Sequence, residues 1–426
     1  MTAAEESGLY NIKIHKFFPR QRVGDFSIVR FFDMIQRDYL IIGTGIAGGS
    51  VCEGIRHHDK KGSVTLVGAE TFHPYKRWML SKTFLREKTP PLKKLPHVDP
   101  KWYGSHKIEA RFGTVVTQFN IERRLAVLGN GESIEFKKAC LAMGSRPVRP
   151  SVAGIGLGNV IYLRTIRDAL ALREMSQSEK MIVVVGGGLL ACETAASLRH
   201  LKLKVTIMHR HPYLLNRYLD AETAAWVTEQ FAKHGVTLLM GESLNGFEGK
   251  TVLRNIQTKS GDRVAAGVAV VACGSEPNLD IVRNTPLSGP HGSPVTDYLE
   301  TEEKGIYAVG DLAFYPDRLM GGVRRQTHWE NAREQGLVAG ANMTGKRRQR
   351  YEQIPYFWTE MFDLKFDFVG DFTMVPTRTE LHGAYAKGKF VLRYYQGDRL
   401  RGIVLCHHGA HEVDAAKKQL RAALGK

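Results

Sequence analysis

No apolar run in this 426-residue chain reaches the length a bilayer demands, so no helical membrane span is expected. Cysteine is sparse and scattered. The five are Cys52, Cys140, Cys192, Cys273 and Cys406, with no CxxC or CxxxxC among them. That spacing excludes a disulfide framework and a redox dithiol close in sequence, and it points to a reducing compartment, the cytoplasm. Acidic residues are also in short supply, 43 against 60 Lys and Arg, for a net charge of +17. Such an excess speaks to partners rather than fold. An acidic electron carrier, nucleic acid and an anionic membrane surface all fit it, and so does a diffusely basic solvated surface. What is present is a soluble-type composition, 43% hydrophobic, in a chain long enough for two or three domains. Residues 1–33 mix charge with aromatics, and Glu5 and Glu6 precede no secretory-type apolar core. An attached extension is expected there, with Met34 as an alternative start.

The chain is organised around residues 38–70. The apolar run Tyr39-Leu40-Ile41-Ile42 leads into Gly43-Thr44-Gly45-Ile46-Ala47-Gly48, a GxGxxG. A helix-compatible segment, a second apolar run at Val64–Val67 and the acid Glu70 follow. Strand, glycine turn, helix, strand and carboxylate is the order of a dinucleotide-binding unit. Gly43 permits the sharp turn. Gly45 lets backbone approach a pyrophosphate, and Gly48 lets helix and strand pack closely. The helix N-terminus offers free N–H groups to the phosphates. Ile46 and Ala47 begin that helix, and Glu70 can accept from ribose hydroxyls.

The unit recurs at 181–210, where Gly186-Gly187-Gly188-Leu189-Leu190-Ala191 reads GxGxxA between two strand-like runs. Two dinucleotide units on one chain imply electron transfer between their cofactors. NAD-preferring units close the second strand with an acid. Here His209 and Arg210 stand in its place, with Arg217 beyond. Cations there can pair with a 2′-phosphate, so NADPH is expected over NADH, against the plain reading of solvated basic residues.

Between and after the units the pattern is mixed. The loop 72–82 carries basic and aromatic residues, Arg77 among them, and leaves the first unit where a pyrophosphate would lie. Residues 107–142 read as a small antiparallel meander. It ends in Gly144-Ser145-Arg146-Pro147, and Gly274-Ser275-Glu276-Pro277 repeats that exit. Helical periodicity covers 220–234 and 329–343. Residues 305–313 read as a buried strand ending in Gly310-Asp311, an acid aimed at a ligand crevice. The basic run 346–350 reads as an exposed linker, 355–405 as strands, and 411–424 as a helix. Cys406-His407-His408 with His411 matches no standard tetrahedral spacing, so no metal is expected.

Taken together these residues resemble the FAD-containing pyridine-nucleotide reductases. The branch is that of the ferredoxin, putidaredoxin and rubredoxin reductases with apoptosis-inducing factor and its relatives. The resemblance covers about residues 36–426. GTGIAGG at 43–49, PYKRWMLSK at 74–82, GGGLLACE at 186–193, IYAVGDLA at 306–313, and THWENA with PYFWTEMF at 327–332 and 355–362 carry it. Glutathione-reductase-like enzymes place a cysteine pair soon after the first unit, and this chain has none. The resemblance implies an α/β fold: two Rossmann-like domains, for FAD and for NAD(P)H, plus a C-terminal α+β domain. The expected boundaries are an N-terminal extension at 1–35, an FAD domain at 36–150 and 280–350, a nicotinamide domain at 151–279 and a C-terminal domain at 351–426.

The resemblance also implies roles. Lys82 and Glu193 would form a pair beside flavin N5. Asp311, after Gly310, would bind the ribityl chain of FAD. Trp329 would stand near the nicotinamide and Trp358 against the isoalloxazine. Arg77, Gly144 and Gly274 complete the cofactor-binding set. Core packing competes for both tryptophans, and a surface or capping role for Glu193. Trp78-Met79 replaces the two prolines usual in the branch, so the loop shape at the flavin does not carry over. The implied function is hydride transfer from NADPH or NADH to FAD, then electrons to an acidic ferredoxin- or rubredoxin-type carrier or a small acceptor. Arg324-Arg325 and Lys346-Arg347-Arg348 with Arg350, the densest basic clusters, flank the segment carrying Trp329; with that segment at the flavin, as the resemblance implies, they are expected on the surface around the electron exit, where the carrier docks. The alternative is a slow-turnover redox protein with nucleic-acid affinity, like apoptosis-inducing factor. A homodimer is compatible with either.

Overall fold

The computed structural model describes residues 34–425, so the expectations for residues 1–33 lie outside it. Strand β1 (Ile35–Ile42) enters the glycine turn, and the helix Ile46–His58 returns the chain to β2 (Val64–Gly68), parallel to β1. Leu40, Ile41 and Leu66 are fully buried. Both faces are covered, as near-continuous apolar strands require.

The meander expected over 107–142 forms only in part. β3 (Ile108–Phe112) joins β2 in parallel as the sheet edge. Only β4 (Val116–Asn120), β5 (Leu125–Leu128) and the start of β6 (Ser133–Leu141) pair antiparallel. The reason lies in the connection. Residues 69–107 make a crossing long enough to bring the chain back parallel, which a hairpin cannot do. β6 then runs parallel to β1, and Ile306–Ala308 pairs in parallel with its C-terminal half.

A second sheet is wholly parallel. Met181–Val185 lies at its centre, with Lys204–His209 and Thr237–Met240 on one side and Val268–Val271 and Val160–Ile161 on the other. The helix Leu189–His200 makes the crossover after the second glycine turn. The helix Ala221–Lys233 falls where periodicity predicts it, its N-cap Asp220 accepting from the Thr223 N–H. The two exits pair with each other. Ser145–Pro147 and Ser275–Pro277 form an antiparallel ribbon between the sheets.

The C-terminal segment is a five-stranded antiparallel sheet, with Tyr356–Met361 at one edge and Arg378–Ala384 at the other. The helix Ala410–Ala423 closes it. The helix Trp329–Thr344 packs on Ile46–His58 with almost no side-chain spacing. A Cβ on Gly336 would lie 2.5 Å from the Ala47 carbonyl oxygen, and one on Gly340 2.3 Å from that of Val51. No helix among the described residues is long and apolar enough to cross a membrane.

Candidate cofactor cleft and buried ion pair

The three glycines of the first turn divide the work by geometry. Gly43 has φ +121°, and a Cβ there would strike the Ala142 carbonyl oxygen at 2.2 Å. A Cβ on Gly48 would meet the Gly43 carbonyl oxygen at 1.9 Å, which keeps the helix pressed onto the turn. Gly45 is different. It is the N-cap of Ile46–His58, no side chain caps the helix, and nothing lies within 4 Å of where its Cβ would be. The first N–H groups of that helix are orphans facing open space, a ready anion site.

That space is a cleft of about 800 Å³ at the carboxyl ends of the first sheet's strands. Gly43, Gly45, Ile46, Ala47, Glu70, Arg77, Gly144 and Asp311 all line it. A volume of this size suits a large ligand. Glu70 accepts from Tyr75 Oη at 2.7 Å and from Arg77 Nη2 at 2.5 Å. Burial works against its charge, but the Arg77 guanidinium outweighs that and holds the carboxyl below its ordinary range. Two acceptor positions are thus taken, and a carboxylate has about four.

Asp311 is buried. Its Oδ2 accepts from Ser145 Oγ at 2.7 Å and Arg164 Nη2 at 2.9 Å. Gly310, at φ +70°, brings it there. A Cβ on Gly310 would press within 3.0 Å of the Ala47 Cβ. Ser145 and Arg164 also line the cleft and were not singled out in the sequence. A signal for Arg164 was there: it directly precedes Thr165-x-x-Asp168, a capping box that fixes the helix start.

A second cluster draws on three distant segments. Lys82 Nζ lies 2.7 Å from Glu193 Oε1, and both side chains are buried. Lys82 comes from the loop after the first unit. Glu193 sits on the first turns of Leu189–His200 and is no cap there. Trp358, from the strand Tyr356–Met361, places its ring 4.8 Å from Lys82 Nζ. Trp78, where the branch usually has proline, meets the Trp358 ring edge-on at 4.9 Å.

Trp329 opens the helix Trp329–Thr344 and stacks edge-on with His97 at 5.6 Å; like Lys82, Glu193 and Trp358 it is not among the residues that line the cleft. Its buried Nε1 has no partner among the described residues. The neighbouring His328 stacks flat on Phe357 at 4.0 Å, and burial pushes its ring down to about 4.

The second glycine turn repeats the first. Gly186 has φ +131°, and its Cβ would meet the Ala272 carbonyl oxygen at 2.4 Å. Gly188 is the uncapped N-cap of Leu189–His200 and faces open space. Leu189 and Leu190 follow it, Leu190 exposed. Gly274, at φ +116°, stands clear in the second exit. The His209 ring packs on Gly187, whose Cβ would lie 2.4 Å from it. Burial pushes His209 below its ordinary value, which disfavours the charged ring. Arg210 beside it is exposed and hydrogen-bonds to His211.

The basic clusters read as surface features separate. Arg324 is buried between Asp317 and Asp371. Arg325 donates to the backbone oxygens of Asp311 and Ser275. The run 346–350 lies at the far end of its helix, where Lys346 Nζ donates to the His58 carbonyl. The 13-residue helix Ile46–His58 puts that point about 20 Å from the glycine turn.

Comparison with known proteins agrees with this geometry. Residues 37–336 match the pyridine nucleotide-disulphide oxidoreductase family. The ferredoxin reductase component of a chlorobenzene dioxygenase from Cupriavidus sp. (strain PS12) is 32% identical over 366 residues, 85% of this chain and 88% of that protein. The ferredoxin–NAD(+) reductase subunit of the benzene 1,2-dioxygenase system of Pseudomonas putida is 30% identical over 364 residues, 85% of this chain and 88% of that one. The crystal structure of the covalent putidaredoxin reductase–putidaredoxin complex superposes with a TM-score of 0.85 at 28% identity, covering 91% of this chain and 93% of that chain. The chain belongs to the pyridine nucleotide-disulphide oxidoreductases, an enzyme of the ferredoxin reductase branch.

Proposed function

We propose that this protein is an FAD-dependent NAD(P)H oxidoreductase that passes electrons to a ferredoxin- or rubredoxin-type carrier. The observation that carries the reading is the pair of glycine turns. Each ends in an uncapped helix N-terminus facing open space at the carboxyl ends of parallel strands. FAD, when bound, supplies acceptance of a nicotinamide's two electrons and their onward release. The protein's part is holding and electrostatics. The N–H groups of 45–47 would hold the pyrophosphate, Glu70 the ribose and Asp311 the ribityl chain. Arg77 and Arg164 hold those two carboxylates in place. Lys82 and Glu193 would set the field at the reacting ring. In this reading FAD is held by 36–150 and 280–350, the nicotinamide by 151–279, and 351–426 covers the buried pair.

NADPH is the nucleotide this chain's own residues favour, because no carboxylate closes the second strand. With burial disfavouring a charge on His209, Arg210 carries most of that preference. The NAD(+) in a relative's name argues for NADH, and kinetics decide. The net charge of +17 suits an acidic carrier, since opposite charge speeds encounter. The nucleic-acid reading has only that charge behind it. Four of the five free cysteines are buried, in keeping with a reducing compartment such as the cytoplasm.

The test is direct. Purified protein should release FAD on denaturation and bleach anaerobically with NADPH faster than with NADH. The reduced protein should then reduce an acidic [2Fe–2S] ferredoxin at a rate that falls with salt. Protein that neither contains nor takes up FAD would sink the reading. A higher kcat/KM for NADH, or an Arg210→Ala variant with unchanged preference, would remove the nucleotide assignment alone.

A further inference from the structure

Glu193 is held by more than Lys82. Its Oε1 accepts from Thr359 Oγ1 at 2.7 Å as well as from the ammonium, and its Oε2 accepts from Ser81 Oγ at 2.5 Å. Thr359 is fully buried and Ser81 nearly so. Ser81 is itself anchored, its backbone carbonyl accepting from Ser197 Oγ at 2.7 Å. Packing alone does not call for these hydroxyls, because valine has the shape of threonine. A buried hydroxyl needs a partner, and each of these has its partner in the same carboxylate.

The arrangement fixes the carboxylate. Two hydroxyls from separate segments hold its two oxygens, one each, and so fix the carboxylate whose Oε1 the Lys82 ammonium meets. The strand Tyr356–Met361 touches the ion pair twice, through the Trp358 ring on the ammonium and through the Thr359 hydroxyl on the carboxylate. Charge-assisted hydrogen bonds of this kind are about twice as strong as neutral ones. Removing one donor leaves more negative charge on Oε1 and lets Glu193 turn.

We infer that Thr359, with Ser81, is a positioning residue that fixes Glu193, and through it Lys82, for electron transfer at the flavin. The inference rests on the flavin reading above. It assigns the C-terminal sheet a part in the chemistry beyond covering the site.

The experiment uses the FAD-loaded full chain. Flavin midpoint potential is measured by spectroelectrochemical titration, and flavin bleaching by NADPH in anaerobic stopped flow. Thr359→Val should lower the potential by about 30 mV, a tenfold change in the two-electron equilibrium, and slow bleaching roughly tenfold. Thr359→Ser should restore both. In a Glu193→Gln background Thr359→Val should add less than about a twofold further effect, since the residue acts through that carboxylate. Potential and rate within twofold of the parent would overturn the inference, as would an undiminished effect in the Glu193→Gln background, which marks mere packing. If Thr359→Val does not fold, Ser81→Ala is put through the same cycle and decides by the same outcomes. Absence of FAD, or of any reduction by either nicotinamide, overturns the flavin reading and this inference together; normal reduction with a silent Thr359→Val overturns the inference alone.

Discussion

Gly340 and Val51 meet backbone to backbone: a Cβ on Gly340 would lie 2.3 Å from the Val51 carbonyl oxygen and 2.8 Å from the Ile55 nitrogen. Two helices from distant parts of the chain are thus in contact through their main chains. Gly340→Ala should force them apart. Overpacking of this kind costs about 1–3 kcal/mol. Urea denaturation should show a lower midpoint with an unchanged slope. An unaltered midpoint would mean that the helices accommodate the methyl.

Gly45 provides the opposite case. Its φ is −79° and its Cβ position is empty, so Gly45→Val is compatible with the backbone. The variant should keep the far-ultraviolet spectrum of the parent and lose retained FAD at least tenfold. A variant that binds FAD normally would show that the pyrophosphate does not approach this turn.

Asp371 gives the fold an acid-sensitive joint. Burial raises its pKa, but the charge of Arg324, with hydrogen bonds from Thr373, outweighs that and brings it to about 2. Arg401 Nη2 adds a bond at 2.9 Å. The folded value lies below the unfolded one, near 3.9. Its contribution, roughly 2 kcal/mol, is therefore complete above about pH 5 and fades as pH falls toward 2. Asp371→Asn should be less stable than the parent at pH 7, and the gap should narrow by about half near pH 3. Asp317, whose carboxyl burial pushes up, moves in the other sense and should be compared as Asp317→Asn. A gap independent of pH would locate the effect in packing.

Arg347 is exposed at the end of its helix remote from the cleft. Arg347→Glu should leave the oxidative half-reaction with an acidic ferredoxin within twofold of the parent. A tenfold loss, read by stopped flow, would place the carrier's docking surface at the C-terminal ends of the two packed helices.

Local signals carried much of this molecule. Both glycine turns, the helices at 221–233 and 410–423, and the strand ending in Gly310-Asp311 could be read because each is set by spacing within a few residues. The partners of those residues could not. Thr359 and Glu193 are 166 positions apart, and nothing periodic links a strand threonine to a helix glutamate. The parallel pairing of Ile108–Phe112 was hidden for a related reason. Parallel and antiparallel strands share the same alternation, and only the path of the crossing tells them apart. The surface role expected of Arg324 failed because a sequence shows charge density and not burial.

The ribbon between Ser145–Pro147 and Ser275–Pro277 makes the second nucleotide unit a parenthesis. Residues 148–274 leave and return at neighbouring points, about 5 Å apart for paired antiparallel strands. Closing the remainder with a short turn would disturb none of the first sheet's pairings, and the excised segment carries a parallel sheet and a glycine turn of its own. The second nucleotide unit is therefore a separable insertion in its backbone path, and what ties it to the first is a set of side chains, among them Glu193 to Lys82 and Ser81 and Arg164 to Asp311, which any exchanged unit would have to keep.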